Sequence, residues 1–287
     1  MENNKNEVKN VSIVGMGANL FLLIIKLIIG FISNSQAMIA DGLNSAGDIF
    51  ASIMSYIGSK ISAKPNDKDH PYGHGKAEYI FSQIIGLSMI IVAIMMIRNS
   101  IDSIVNKNNF EFSIMLVGVA VITIITKLIL FLYTNNVYKR NKSILVKSSM
   151  EDHRNDMLLT AGTIIGIIFG ANGIYFVDGI IGIMISLWIL YVGFTIFKNS
   201  YKVLMDTGLS NEVVDDVISI VMNEDSVMHV DSIATKPVGN MYIIMLKVSM
   251  DGNMTIFDSH RISGIIKENI KKKYEFVYDI IIHINPH

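Results

Sequence analysis

The sequence predicts a membrane domain of six helices followed by a small α+β tail, and three observations carry that prediction. The first is composition: of 287 residues, 51% are hydrophobic and 17% charged, with a mean hydropathy of +0.45. Soluble domains are usually ~25% charged. The second is length. A helix needs about 20 mostly apolar residues to cross a bilayer, and stretches 11–32, 37–59, 79–98, 112–133, 144–170 and 174–197 all qualify. The third is a change of pattern after Asp206, where the chain becomes charged and turn-rich. The expected domains are therefore 1–206 and 207–287.

Before the first span, "MENNKNEVKN" lacks the charged, apolar, then small pattern of a cleaved signal, so it is read as a cytosolic tail. Within the spans, Gly30, Gly86, Gly118, Gly162, Gly166 and Gly182 suit close helix packing. Orientation follows from the basic residues. Lys5 and Lys9, then Lys60, Lys64, Lys68 and Lys76, then Lys139, Arg140, Lys142 and Lys147, and finally Lys198 and Lys202 all fall on one side. Only Arg98 and Lys107 fall on the other, so both termini are expected in the cytosol. In the tail, 211–223 reads as a helix and 230–236 as a strand. "GNMYIIMLKVSM" reads as a turn and second strand, 255–272 as a helix started by Thr255 or Asp258, and "VYDIIIHIN" as a last strand. Helix–strand–strand–helix–strand makes a two-layer α+β unit.

Several function classes are excluded. The chain has no cysteine, which removes disulfides, thiolate metal sites and cysteine nucleophiles. A net charge of −1 gives no electrostatic case for nucleic acid. No HExxH helix and no nucleophile–base pair points to an enzyme.

What remains is a set of acids inside the spans. Asp152 and Asp156 stand four apart and share a helix face, as do Asn44 and Asp48, with Asp41 on the same side. Asp48 lies about twelve residues from the outer end of its span, roughly 18 Å at 1.5 Å per residue. Asp156 lies about nine residues past Lys147, roughly 13 Å from the inner side. In a core about 30 Å thick these depths coincide, so Asn44, Asp48, Asp152 and Asp156 converge. Each aspartate costs about 2.5–3.5 kcal/mol at mid-bilayer. No basic residue on these two faces neutralises all three, although Lys26 and Lys127 in other spans offer structural pairing. A divalent cation satisfies four oxygens at once and is the favoured reading. His153, about 100° around the helix from Asp152, is expected to flank the site with Glu151 and Arg154.

These residues, with the loop "HPYGHGKAE" at 70–78, resemble the cation diffusion facilitator family of metal exporters over nearly the whole chain. The resemblance implies a ferredoxin-like, metallochaperone-type tail. It also implies a homodimer in the plasma membrane that exports a divalent metal ion against protons and carries no prosthetic group. Asn44, Asp48, Asp152 and Asp156 then take the transport-site positions. Zinc-type members usually place His where Asp152 stands, and His or Asp where Asn44 stands; "DHRND" looks like the manganese-type branch. An all-oxygen site suits Mn²⁺, whereas imidazole suits zinc, leaving a Zn²⁺, Fe²⁺ or Co²⁺ exporter as the alternative within the family. A passive cation channel is the alternative outside it.

The resemblance implies further positions. Asp67, His70 and His74 match a loop metal site. Asp231, His260 and His283 fall near tail metal positions, but Lys247 and Asn285 replace a histidine and a carboxylate there. A lysine brings repulsion instead of a lone pair. Lys76 and Asp206 match a charge interlock at the dimer junction.

Overall fold

A computed structural model describes residues 2–32, 36–106, 114–171 and 176–287. The apolar stretches form six long helices: α1 (Glu2–Ile32), α2 (Gln36–Ser62), α3 (Ala77–Asn106), α4 (Ile114–Asn141), α5 (Ile144–Ala171) and α6 (Phe176–Leu204). Among the described residues, segments of α1, α3, α4 and α6 are long and apolar enough to cross a membrane. The other two, α2 and α5, carry the aspartates, which interrupt their apolar runs.

The polarity of this helical unit is inverted relative to a protein in water. Val105, Met184 and Phe31 point outward and are 66–70% exposed, while Ser55, Ser82, Ser148 and Lys127 are almost wholly enclosed. Such an outward apolar surface needs hydrocarbon around it, and helices suit that medium because they satisfy their own backbone hydrogen bonds.

Small residues set the helix contacts. A Cβ on Gly58 of α2 would lie 2.7 Å from the Phe81 Cβ of α3. Where α3 crosses α6, a Cβ on Gly86 would lie 3.0 Å from the Gly193 carbonyl oxygen, and one on Gly193 as close to that of Gly86. Gly118 departs from expectation: nothing lies within 4 Å of its missing Cβ, so it marks no close approach. The start of α5 is fixed by Glu78 of α3. Its Oε1 accepts from the Ser143 hydroxyl at 2.5 Å and the Ile144 amide at 2.8 Å, satisfying an otherwise orphaned helix-end donor.

The tail contains α7 (Asn211–Met222), β1 (His229–Val238), β2 (Met241–Met250), α8 (Ile256–Lys273) and β3 (Val277–Pro286). Thr255 caps α8 by accepting from the Asp258 amide at 3.1 Å, and Lys271, Lys272 and Lys273 in its last turn complement the helix dipole. The sheet order is β1-β2-β3, antiparallel then parallel, the parallel pair being joined through α8. The two helices cover one face, closing a core around Val217, Val221, Ile244, Leu246, Ile266 and Ile280. Gly239, at φ +70°, makes the β1–β2 turn, and the backbone of Gly75 approaches its missing Cβ to 3.1 Å.

Contacts divide the chain into two units, Met1–Lys64 with Ala77–Tyr201, and Pro65–Lys76 with Lys202–His287. This division differs from a cut at residue 206. Pro65–Lys76, counted from sequence with the membrane part, groups with the tail, and so does the end of α6. Lys76 and Asp206 consequently lie in one unit. Their side chains meet at 2.6 Å, and Lys236 approaches Asp206 at 3.3 Å. Asp206 adopts φ 56°, a left-handed conformation that Asp and Asn tolerate better than most residues.

Two outcomes follow for the tail unit. Ile266→Ala, at a fully buried position, should cost about 2–5 kcal/mol and accelerate amide exchange in β2 and β3 of the full chain, whereas Ile265→Ala should change little. Asp206→Asn removes both ion pairs while keeping the left-handed preference, so it should cost only the ~0.2–1 kcal/mol of each exposed pair. Asp206→Ala should cost more. The Lys76 hydrogen bond, then Lys236, holds the Asp206 carboxyl below the usual carboxylate range. The stabilisation is therefore complete above the ordinary value of about 3.9 and lost as pH falls through the lowered one. Above the range in which His70 and His74 change charge, exchange in residues 65–76 should be indifferent to pH between 8 and 9 once corrected for intrinsic chemistry; a step there would contradict this assignment.

Candidate transport site

On α2, Asp48 follows Ser45 by one turn and faces inward, 9% exposed. On α5, Asp152 and Asp156 are one turn apart. Asp48, Asp152, Asn155 and Asp156 line one cavity of about 150 Å³, whose apolar walls include Met89 of α3 and Ile189 of α6. The three aspartates therefore come together. Asn44 lies on α2, but its side chain is outside the described residues.

Two residues stand closer to this cluster than the sequence suggested. Lys127 of α4, the largest fully buried side chain among the described residues, donates to Asp48 Oδ2 at 2.7 Å and also to Asp156 Oδ2. The second is His153. An imidazole nitrogen of His153 and one carboxylate oxygen each from Asp152 and Asp156 lie within 4.8 Å of one another. This corrects the expectation that a 100° offset turns His153 away from the site. The offset describes Cβ, and the ring reaches beyond it. Gly15 of α1 lies against the ring: a Cβ there would be in ordinary contact with the His153 Nε2 at 3.7 Å and the Ser52 Oγ at 3.5 Å. Neither ring nitrogen has a hydrogen-bond partner among the described residues. Beside the site, Arg154 pairs with Glu151 and stacks its guanidinium 5.1 Å over the Trp188 ring.

In the loop, Asp67, His70 and His74 bring one ligand atom each within 4.8 Å of the others. Asp67 Oδ1 accepts from the backbone amides of Asp69 and His70 at 3.0 and 2.7 Å, which fixes the carboxylate. That amide bond from His70 is the main cause holding the Asp67 carboxyl below its usual range, with the two histidines adding to it. His74 Nδ1 lies 3.1 Å from the Pro65 carbonyl. A carbonyl only accepts, so Nδ1 is the donor there, and Nε2 lies 3.5 Å from Asp67 Oδ2. Metal-binding histidines usually have such a fixed second nitrogen.

The expected tail set does not assemble. Among the described residues, Asp231, His260 and His283 form no such three-atom group. Asp231 sits at a bulge in β1, between Val230 and Ser232. Its carboxylate takes the Asn285 amide at 2.6 Å, the Ser249 hydroxyl at 2.9 Å and His229 Nε2 at 2.7 Å. His283 is paired in register with Lys247 on β2.

Residues 12–205 match the model of the cation efflux transmembrane domain, and residues 209–287 that of the cation efflux protein cytoplasmic domain. The manganese efflux system protein MneP of Bacillus subtilis is 29% identical, with 97% of this chain and 96% of the relative covered. MneS, a second manganese efflux system protein of that organism, is 30% identical over 96% of this chain and 94% of its own length. An uncharacterised transporter of Methanocaldococcus jannaschii is 31% identical over 96% of this chain and 99% of its own. With both domain models matched in order and nearly full-length relatives at this identity, the chain belongs to the cation efflux family, a family of membrane transporters and not of enzymes.

Proposed function

We propose that this transporter exports Mn²⁺ from the cytosol across the plasma membrane in exchange for protons, working as a homodimer with both termini in the cytosol. The cargo is bound between α2 and α5 by Asp48, Asp152 and Asp156, with Asn44 as a fourth oxygen donor. The observation that carries this reading is the convergence of three carboxylates from two helices on one cavity inside the transmembrane unit. Two full-length relatives named for manganese efflux support the choice of metal. Oxygen donors suit Mn²⁺. Metal and protons compete for the same carboxylate lone pairs, which gives exchange a chemical basis. Asp67, His70 and His74 form a second metal position in the loop, and Lys76 with Asp206 steadies the region beside it.

The imidazole of His153 within reach of two carboxylates favours a second reading, in which Zn²⁺ is exported. Zinc binds such sites more tightly than manganese in any case; an all-oxygen set lowers that advantage and lets metal availability decide, and one nitrogen among the oxygens raises it again. Selectivity then depends on His153 as well as on Asp152.

Asp48→Asn and Asp156→Asn should each lower Mn²⁺ flux in proteoliposomes by more than the about 10–100-fold that outer ligand partners cost. Both variants should still insert, since Lys127 keeps one carboxylate partner in each. Full flux from either would remove that residue from the site.

Mn²⁺ and Zn²⁺ flux should also be compared in the same inverted vesicles, with and without a pH gradient. Manganese flux should rise when protons are more concentrated on the receiving side. His153→Asn should lower zinc flux more than manganese flux. Zinc transport without manganese transport would select the second reading. Manganese flux indifferent to the gradient would reject proton exchange, and flux that fails to saturate with metal would indicate a channel.

A further inference from the structure

The export reading assigns no task to Lys127, yet its ammonium lies inside the proposed site. Its side chain is 1% exposed, and its Nζ meets Asp48 Oδ2 and Asp156 Oδ2, one oxygen from each helix that the cargo must bridge. The lysine comes from α4, which supplies no ligand. Another buried cation, Lys26 on α1, donates to Ser45 Oγ at 3.2 Å and adds its charge to the field at Asp156; the ammonium that hydrogen-bonds both Oδ2 atoms is that of Lys127. A lysine ammonium is a compact point charge on a flexible four-carbon stem. It can leave an oxygen and return to it without moving a helix.

We propose that Lys127 is a tethered competitor for the cargo: its ammonium holds the oxygens of Asp48 and Asp156 between transport events and is displaced when a divalent cation binds. This rests on the reading that the cargo is bound by these carboxylates. A divalent ion coordinates oxygen at close to 2.0–2.2 Å, inside the hydrogen-bond distance of an ammonium, so it draws on lone pairs that Nζ uses. An ion seated on either Oδ2 takes the lone pair that Nζ now uses, and on this reading Lys127 yields that oxygen. Charge also argues for retention nearby: an ammonium that stays in the cavity offsets part of the negative charge of the three carboxylates. The competitor weakens capture, and its return to the vacated oxygen speeds release.

A purely structural tie between α2, α4 and α5 makes the opposite prediction. Removing such a tie loosens the ligands and weakens binding, whereas removing a competitor tightens it. The test is equilibrium titration of the purified full-length protein with Mn²⁺ alone, at one pH and in one detergent, with Mn²⁺ flux measured in parallel. Lys127→Met should bind Mn²⁺ at least about tenfold more tightly, because close buried charge pairs couple by more than a decade, and should turn over more slowly at saturating Mn²⁺. Lys127→Gln, shorter and able to hydrogen-bond both carboxylates, provides the same comparison should the Met variant not fold. Lys127→Arg should return the affinity towards that of the wild type. Unchanged or weaker binding in the neutral variants, with a wild type that binds, would overturn the competitor and leave the export site standing. A wild type that binds neither Mn²⁺ nor Zn²⁺ would overturn both.

Discussion

A buried ammonium shared by two buried carboxylates constrains this transmembrane unit more than any other contact. Removing an ion from water costs several kcal/mol even after relaxation, so Lys127, Asp48 and Asp156 are tolerable only together. They belong to α4, α2 and α5. Their meeting therefore fixes the relative depth and rotation of three helices, and Asp152, one turn from Asp156, is carried to the same cavity. The glycines at α2–α3 and α3–α6 and the interior serines are consistent with that demand: they let backbones approach while the apolar side chains face outward.

The same constraint marks how far the sequence could be read. Spacing of four residues places Asp152 with Asp156, and counting along two helices at 1.5 Å per residue matches Asp48 to them in depth. Both arguments concern short side chains close to the backbone, where Cβ direction decides position. They fail for long ones. Lys127 lies on a third helix whose rotation no count supplies, and its four-carbon stem covers the uncertainty. His153 shows the same limit within one helix, because a nitrogen of its ring lies within 4.8 Å of the carboxylates although its Cβ is turned from them.

In the tail, Thr255 announces α8 and alternation announces the strands, because capping and pleating are local. The binding residues there were less legible. The bulge beside Asp231 breaks strict alternation, and bulges re-aim side chains. The result is a carboxylate satisfied by Asn285, Ser249 and His229, away from the set expected with His260 and His283. In the loop the expected residues do come together, for the contrary reason. Asp67, His70 and His74 are close in sequence, and two backbone amides hold the carboxylate where both histidines reach it.

The two clusters that do assemble are built for different residence of a cation. In the loop, Asp67 is held by backbone amides and His74 by the Pro65 carbonyl, so little reorganisation is needed before an ion is held. Preorganisation of this kind raises affinity by lowering the cost of binding. In the transmembrane unit Asp48 and Asp156 are already engaged with an ammonium, which an ion displaces on the competitor proposal. A carrier has to let its cargo go on every cycle, so affinity beyond what capture requires slows it. An oxygen-rich site with its own resident cation meets that requirement, and a rigid imidazole–carboxylate loop does not. If both clusters bind an ion as proposed, these differences suit the intramembrane cluster to turnover and the loop to retention.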